Sequence, residues 1–277
     1  VSALLEVEDL RVTFQTPTGP FRAVRGVSFA LGRERLGIVG ESGSGKSLTG
    51  RSILRLLPPS ARLEAKRLSF GGTDLLTASP KTMRDIRGAR ISLVLQDPKY
   101  SLNPVIPVGD QIAEAARVHG VSRAQAREKA LEMLAAVRIR DPERVYRLYP
   151  HEVSGGMGQR IMIAMMLVPE PELLIADEPT SALDVTVQMQ VLAILDELVT
   201  RRGMGLIFIS HDLDLVASFC DRVLVMYAGR VVEERNARDL AQATHPYTQG
   251  LLRSLPRIEE VRETLPTLSR DPSWLEG

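Results

Sequence analysis

Lys46 and Ser47 follow a run of small residues, Gly40-Glu41-Ser42-Gly43-Ser44-Gly45, and that order suits a chain of phosphates. Positions without a Cβ let backbone N–H groups converge on phosphate oxygens. The lysine adds a point charge between the terminal phosphates, and the Ser47 hydroxyl is a ligand for magnesium. Farther along, the apolar run Leu173-Leu174-Ile175-Ala176 ends in Asp177-Glu178. A carboxylate that closes an apolar strand reaches magnesium or its water without being flexible, which is the role open to Asp177. Glu178, one residue on, points differently and is the candidate to orient or deprotonate an attacking water. Each element has a plainer alternative, a glycine turn in one case and a solvated acidic pair before Pro179 in the other. Their joint presence favours chemistry on a nucleoside triphosphate.

Two further side chains fit that chemistry. Gln96 follows Ser92-Leu93-Val94-Leu95 and offers an acceptor to a metal-bound water and a donor to a phosphate oxygen. His211 follows Leu206-Ile207-Phe208-Ile209-Ser210, where an imidazole could contact a γ-phosphate. Alone, either is a loop residue satisfied by local hydrogen bonds. Their position at the C-terminal ends of predicted core strands, where open α/β sheets bind ligands, argues for the site. Ser154-Gly155-Gly156 opens a predicted helix and so exposes unpaired N–H groups to an anion. A self-sufficient nucleotide site has no need of this second glycine-rich element, so the sequence points to an ATPase whose active site is shared between two copies.

The elements that must position these residues are visible in the apolar pattern. Residues 4–14 and 23–31 alternate as half-buried antiparallel strands, with residues 16–20 as the turn. Residues 35–39 form a short strand into the glycine loop, and the pattern predicts a helix over 46–57, stopped by Pro58-Pro59. Residues 68–70 predict a strand turning at Gly71-Gly72, and 91–95 a strand delivering Gln96. The stretch 108–145 is helical, rich in Ala, Arg and Glu, with Ser122 as N-cap of a helix through Val137. The runs 173–176 and 205–209 read as buried parallel strands joined by a helix over 185–200, as in a doubly wound sheet. Residues 221–232 suggest a closing hairpin, 240–255 a final helix or two, and 257–277 a loosely packed tail.

At 277 residues the chain suits one large α/β core with an inserted subdomain and a small C-terminal extension. Thirty-five Lys and Arg against 34 Asp and Glu give a formal charge of +1, which offers no general surface for a polyanion, and no nucleic-acid partner is expected. The single cysteine, Cys220, has no partner for an intramolecular disulfide or a cysteine metal cluster, and its neighbours suggest a small structural residue at a helix end. No apolar run approaches the ~20 residues needed to cross a bilayer. Service to a membrane would therefore come from the aqueous side, through partners.

In combination these motifs resemble the ATP-binding-cassette ATPases. They match a Walker A loop at 40–47, a Q-loop glutamine at Gln96, and a signature segment Val153-Ser154-Gly155-Gly156-Met157. Walker B at 173–178, a D-loop Ser181-Ala182-Leu183-Asp184 and the switch histidine His211 complete the set, and the resemblance covers about residues 4–256. It implies an α/β P-loop NTPase fold: a RecA-like core, an antiparallel β subdomain and an inserted α-helical subdomain at about 97–167, followed by an extension over 257–277. It also implies ATP and Mg2+ as ligands and a head-to-tail pair of cassettes, each loop facing the other's Ser154-Gly155-Gly156. On this pattern Gly40, Ser42, Gly43, Gly45, Lys46 and Ser47 hold phosphates, Ser47, Gln96 and Asp177 organise magnesium, and Asp184 couples the two sites. Phe14 is the first choice to stack on adenine and Phe21 the second.

Within that family, Gln96-Asp97-Pro98, Ser101-Leu102-Asn103-Pro104 and Asp110-Gln111-Ile112 are similar to the oligopeptide, dipeptide and nickel importer branch. So are Tyr149-Pro150-His151-Glu152 and His245-Pro246-Tyr247-Thr248 with Leu251-Leu252. The branch implies a peripheral subunit on the cytoplasmic face of the membrane, powering peptide import through two integral permeases. A second cassette, related or identical, and indirectly an extracytoplasmic substrate-binding protein would be its other partners. A nickel or metal-chelate importer, a soluble cassette ATPase in a multi-enzyme assembly such as phosphonate degradation, and a silent regulatory subunit are the alternatives. The chain departs from the branch in three places, one of them the insertion at 16–20 that blurs which of Phe14 and Phe21 stacks on adenine. Residues 257–277 contain no cysteine, so a C-terminal iron-sulfur site is unsupported, and Gly158 replaces a long polar residue in the signature helix.

Overall fold

The computed structural model describes residues 3–96, 101–181, 183–254 and Trp274. The chain divides into two compact units, Val1–Leu76 with Phe208–Gly277, and Thr77–Ile207.

The first unit begins with the hairpin β1 (Leu5–Thr16) and β2 (Gly19–Leu31). Both strands run past their predicted ends, because residues expected in the loop pair across the hairpin as far as Thr16 with Gly19. Leu5, Val7, Leu10 and Val12 are all buried, which strict alternation cannot produce. Asp9, at φ 52°, supplies an extra residue where the register shifts between Val7 and Leu10. This bulge resets the pleat so that both halves of β1 turn their apolar side chains to the core. β4 (Ala61–Glu64) and β5 (Arg67–Phe70) pair with successive stretches of β1, and β6 (Thr73–Asp74) pairs with β5.

β3 (Arg35–Val39) has its predicted bounds and runs into the glycine loop and α1 (Lys46–Ile53). This helix ends earlier than the expected Leu57. Arg55 takes φ 52°, and the amides of Arg55 and Leu56 donate to the carbonyls of Ser52 and Arg51, both at 2.9 Å. That pair of bonds is a Schellman closure built on a left-handed arginine instead of a glycine, so it precedes the prolines. β10 (Arg222–Tyr227) lies parallel to β3 and turns at Ala228-Gly229, both with positive φ, into β11 (Arg230–Asn236). Past β11, the predicted final helical region is a 3₁₀ turn (Ala237–Gln242) and α9 (Pro246–Ser254). The tail over 257–277 lies outside the described residues except for Trp274.

α8 (Leu213–Phe219) packs on β3. Cys220 caps its C-terminus and is buried, as a structural residue would be. Burial, and then the Asp221 carboxylate, push its thiol up to about 12, so it stays protonated and inert.

In the second unit β7 (Ile91–Val94) and β8 (Leu173–Asp177) pair in parallel, and β9 (Gly205–Ile209), whose last two residues belong to the first unit, follows them in the chain. Leu173 to Ala176 are fully buried, as a strand covered on both faces requires. α2 (Pro80–Ile86) precedes β7. The stretch predicted as helical over 108–145 comprises α3 (Val108–Arg117), α4 (Arg123–Ala136) and α5 (Pro142–Tyr146). Left-handed Gly120 and Arg138 interrupt it, and the side chains of Ser122 and Asp141 restart it as N-caps, the first as predicted. α6 (Gly155–Leu167) and α7 (Val185–Arg202) complete the unit.

One contact in the first unit is specific enough to test. A Cβ on Gly37 would stand 2.2 Å from Val216 Cγ1 and 3.2 Å from Cys220 Sγ. Gly37→Ala should therefore destabilise the protein by about 1–3 kcal/mol through overpacking, and Val216→Ala in the same chain should recover most of the loss, both read from thermal unfolding.

Candidate active site

The glycine loop of the first unit has the shape its sequence implies. Gly40 sits at φ 149°, and a Cβ there would lie 2.1 Å from the Met226 carbonyl oxygen. Gly45 caps α1 at φ 99° and brings no side chain to the first turn, so the helix N-terminus is left for an anion. Ser42 and Gly43 face solvent, while Ser44, Gly45 and Lys46 are buried. The loop is tied from outside by the Gly229 amide, which donates to the Ser44 carbonyl at 3.0 Å. Lys46 is 5% exposed; its Nζ donates to the carbonyls of Gly40 at 2.7 Å and Glu41 at 2.8 Å. The Ser44 hydroxyl is buried without a hydrogen-bond partner among the described residues. A buried ammonium beside an orphaned hydroxyl and a Cβ-free cradle fit a phosphate chain, and Ser44 adds a group that the sequence reading did not assign.

His211 follows β9 in this unit and is exposed, next to the bond from the Ser210 amide to the Ile38 carbonyl. Phe14 and Phe21 are directly opposed in the hairpin. Phe14 is half-buried and Phe21 is 56% exposed, so both aromatic candidates lie side by side on one ribbon.

In the second unit Asp177 ends β8 and is 4% exposed. Glu178 departs from the strand at φ 49°, a left-handed conformation that costs a non-glycine residue about 1–2 kcal/mol. The structure joins Glu178 to Gln96, whose Nε2 donates to Glu178 Oε2 at 3.3 Å. The following turn is fastened where the buried Gln159 amide donates to the Pro179 carbonyl.

Ser154 is the N-cap of α6 and accepts the Met157 amide at 3.3 Å. Ser154 and Gly155 are exposed, and a Cβ on Gly155 would meet nothing within 4 Å. Gly156 is different: a Cβ there would strike Val187 Cγ1 at 2.6 Å, so it is required by packing against α7. Gly158 is buried within α6, and its amide bonds the Ser154 carbonyl at 2.8 Å. Asp184 caps α7 by accepting the Val187 amide at 3.0 Å. The neighbouring Val185 and Met189 are 76% and 60% exposed.

The sequence profile of the ABC transporter family matches residues 24–181. The chain belongs to this family. A probable peptide ABC transporter ATP-binding protein of Sinorhizobium fredii is 53% identical over 97% of this chain and 84% of its own length. The oligopeptide transport ATP-binding protein OppD of Escherichia coli is 48% identical over 98% of this chain and 81% of its own. Among solved structures, an ATP-binding cassette captured as a dimer in a post-hydrolysis state with ADP and Pi superposes with a TM-score of 0.75 at 25% identity, covering 84% of this chain and 99% of that one. The ABC chain therefore has the P-loop NTPase fold, with a RecA-like core, a mixed sheet and a helical subdomain, and it is an ATP-hydrolysing ATPase.

The Gln96–Glu178 contact leads to a direct test. A glutamine at 178 keeps the shape and the contact and removes the basic oxygen. Glu178→Gln should retain ATP binding while steady-state hydrolysis falls by about 100-fold or more; unchanged hydrolysis would remove Glu178 from the role of base.

Proposed function

We propose that this chain is the nucleotide-binding subunit that powers peptide import through membrane permease partners. The observation that carries this reading is its near-full-length likeness to peptide and oligopeptide transport ATP-binding proteins. No helix among the described residues is long and apolar enough to cross a membrane. Attachment to the cytoplasmic face would accordingly run through two permeases, with an extracytoplasmic binding protein acting through them. The accompanying domain layout is an ATPase domain over residues 1–256, with a helical subdomain inserted at about 97–167, and an extension over 257–277.

In this reading Lys46 and the N–H groups of Gly40 to Ser47 hold the ATP phosphates, and Phe14 stacks on the adenine. Ser47, Gln96 and Asp177 are the residues that would hold magnesium, which would supply positive charge to the phosphate oxygens. Glu178 orients the attacking water and takes its proton, Gln96 steadies Glu178, and His211 contacts the γ-phosphate. Ser154, Gly155 and Gly156 serve the nucleotide of a second cassette, and Asp184 lies at that junction. The exposure of Gly155, Val185 and Met189 supports an interface there, since apolar side chains of this size beside an anion-binding helix start suit a surface that closes on another protein. ATP then joins the cassettes, hydrolysis parts them, and the permeases receive the movement.

The experiment is purification of the chain from native membranes in mild detergent, with its stoichiometric partners identified by mass spectrometry. Two multispanning permeases and a second cassette are the expected result. Soluble enzymes without permeases would contradict the transport reading.

A further inference from the structure

Tyr247 is a fully buried tyrosine from a region of the chain about two hundred residues beyond the glycine loop, and its hydroxyl accepts the Glu41 amide at 3.0 Å. That amide belongs to the peptide bond between Gly40 and Glu41, whose carbonyl is one of the two oxygens holding Lys46 Nζ, at 2.7 Å. The peptide is trans, so its N–H and C=O point in opposite directions from one rigid plane. A phenol on one side and the lysine ammonium on the other therefore fix the same plane, and a shift at either end tilts it. The second acceptor of Lys46 is the carbonyl of Glu41 itself, at 2.8 Å.

The phenol is in turn held by its surroundings. The Tyr247 amide donates to His245 Nδ1 at 3.2 Å, and the amides of Thr244 and His245 donate to the Glu233 carboxylate at 2.8 and 3.3 Å. Burial alone would raise the Glu233 carboxyl. Hydrogen bonds from its neighbours, Arg235 and those two amides among them, hold it at about 2. The Tyr247 ring packs on Tyr227 at 4.5 Å and on Trp274 at 5.9 Å, and Trp274 also meets Tyr227 at 5.7 Å and His245 at 6.3 Å. Tyr227 directly precedes the Ala228-Gly229 turn whose amide binds the Ser44 carbonyl. One aromatic cluster thus braces the glycine loop at two points.

We propose that Tyr247 is a positioning residue for the phosphate loop, and that Trp274, seated against it, responds to nucleotide bound there. The proposal rests on the reading of the loop as an ATP site. When phosphate takes over Lys46, the Gly40 carbonyl loses its ammonium contact, the balance across the peptide plane shifts toward the phenol contact, and the aromatic cluster moves with it.

Trp274 is the chain's one tryptophan, so intrinsic tryptophan emission reads this cluster without a label. The test titrates the full chain with MgATP, following emission and, in parallel, bound ATP by equilibrium dialysis. In the wild type, emission should change with the same midpoint as binding. Tyr247→Phe, which keeps the ring and removes the acceptor, should raise the KM for ATP by about five- to tenfold with kcat nearly unchanged, the range set by the loss of one part-buried hydrogen bond. It should also weaken the emission response at saturation. ATP bound by dialysis with constant Trp274 emission would overturn the coupling, and an unchanged KM in a folded Tyr247→Phe chain would overturn the positioning role. If the variant is unfolded, the wild-type emission alone decides. A wild-type chain that binds no ATP by dialysis would instead overturn the reading of the loop.

Discussion

A buried ammonium group must be surrounded by oxygen, and the need to supply that oxygen to Lys46 shapes this structure. At 5% exposure the side chain has lost most of its water, and an unpaired charge there would cost several kcal/mol. Its own loop supplies the carbonyls of Gly40 and Glu41. That solution demands a backbone bent inward, hence glycine at 40, where Met226 leaves no room for a Cβ, and a left-handed glycine at 45 to start α1. The strand that delivers the loop is fixed by the same logic, since Gly37 lets α8 lie directly on β3. Phosphate oxygens are stronger acceptors for an ammonium than peptide carbonyls, so the resting arrangement is one that a nucleotide can displace.

The second unit handles carboxylates rather than a cation, and uses backbone strain where the first uses glycine. Glu178 occupies a left-handed conformation that sequence statistics disfavour. The conformation turns its carboxylate out of the line of β8 and into reach of Gln96. Strain of this kind persists only when its surroundings hold it, and here the buried Gln159 secures the Pro179 carbonyl directly behind it. The signature segment shows a further strategy: Ser154 caps α6 from an exposed position, and Gly155 keeps that surface clear.

Much of this was legible in the residues because local chemistry dictates it. Gly-x-x-x-x-Gly-Lys-Ser between an apolar strand and a helix has few other uses, β3 has the bounds its apolar run predicts, and Ser122 caps α4 because a serine before a helical pattern satisfies an otherwise orphaned amide. What escaped depends on partners far apart in sequence or on conformations without a residue signal. The Asp9 bulge and the Arg55 closure put non-glycine residues at positive φ, where a reading that looks for glycine or proline finds no turn. Tyr247 stood out as part of a branch motif, but its bond to Glu41 spans 206 positions, and no local pattern carries that information. The choice between Phe14 and Phe21 stayed open in the sequence because the turn between them was ambiguous. The register shows the two to be cross-strand neighbours.

In the proposed function the phosphate loop of one cassette works with the signature segment of another. The most direct measurement mixes two variants expected to be inactive alone, Lys46→Ala and Gly155→Glu, the second at an exposed position where an added Cβ has nothing within 4 Å. A mixed dimer carries both defects in one site and neither in the other, so a shared site predicts that ATP hydrolysis reappears on mixing. Two variants that are each folded, form mixed dimers and still show no hydrolysis together would contradict it.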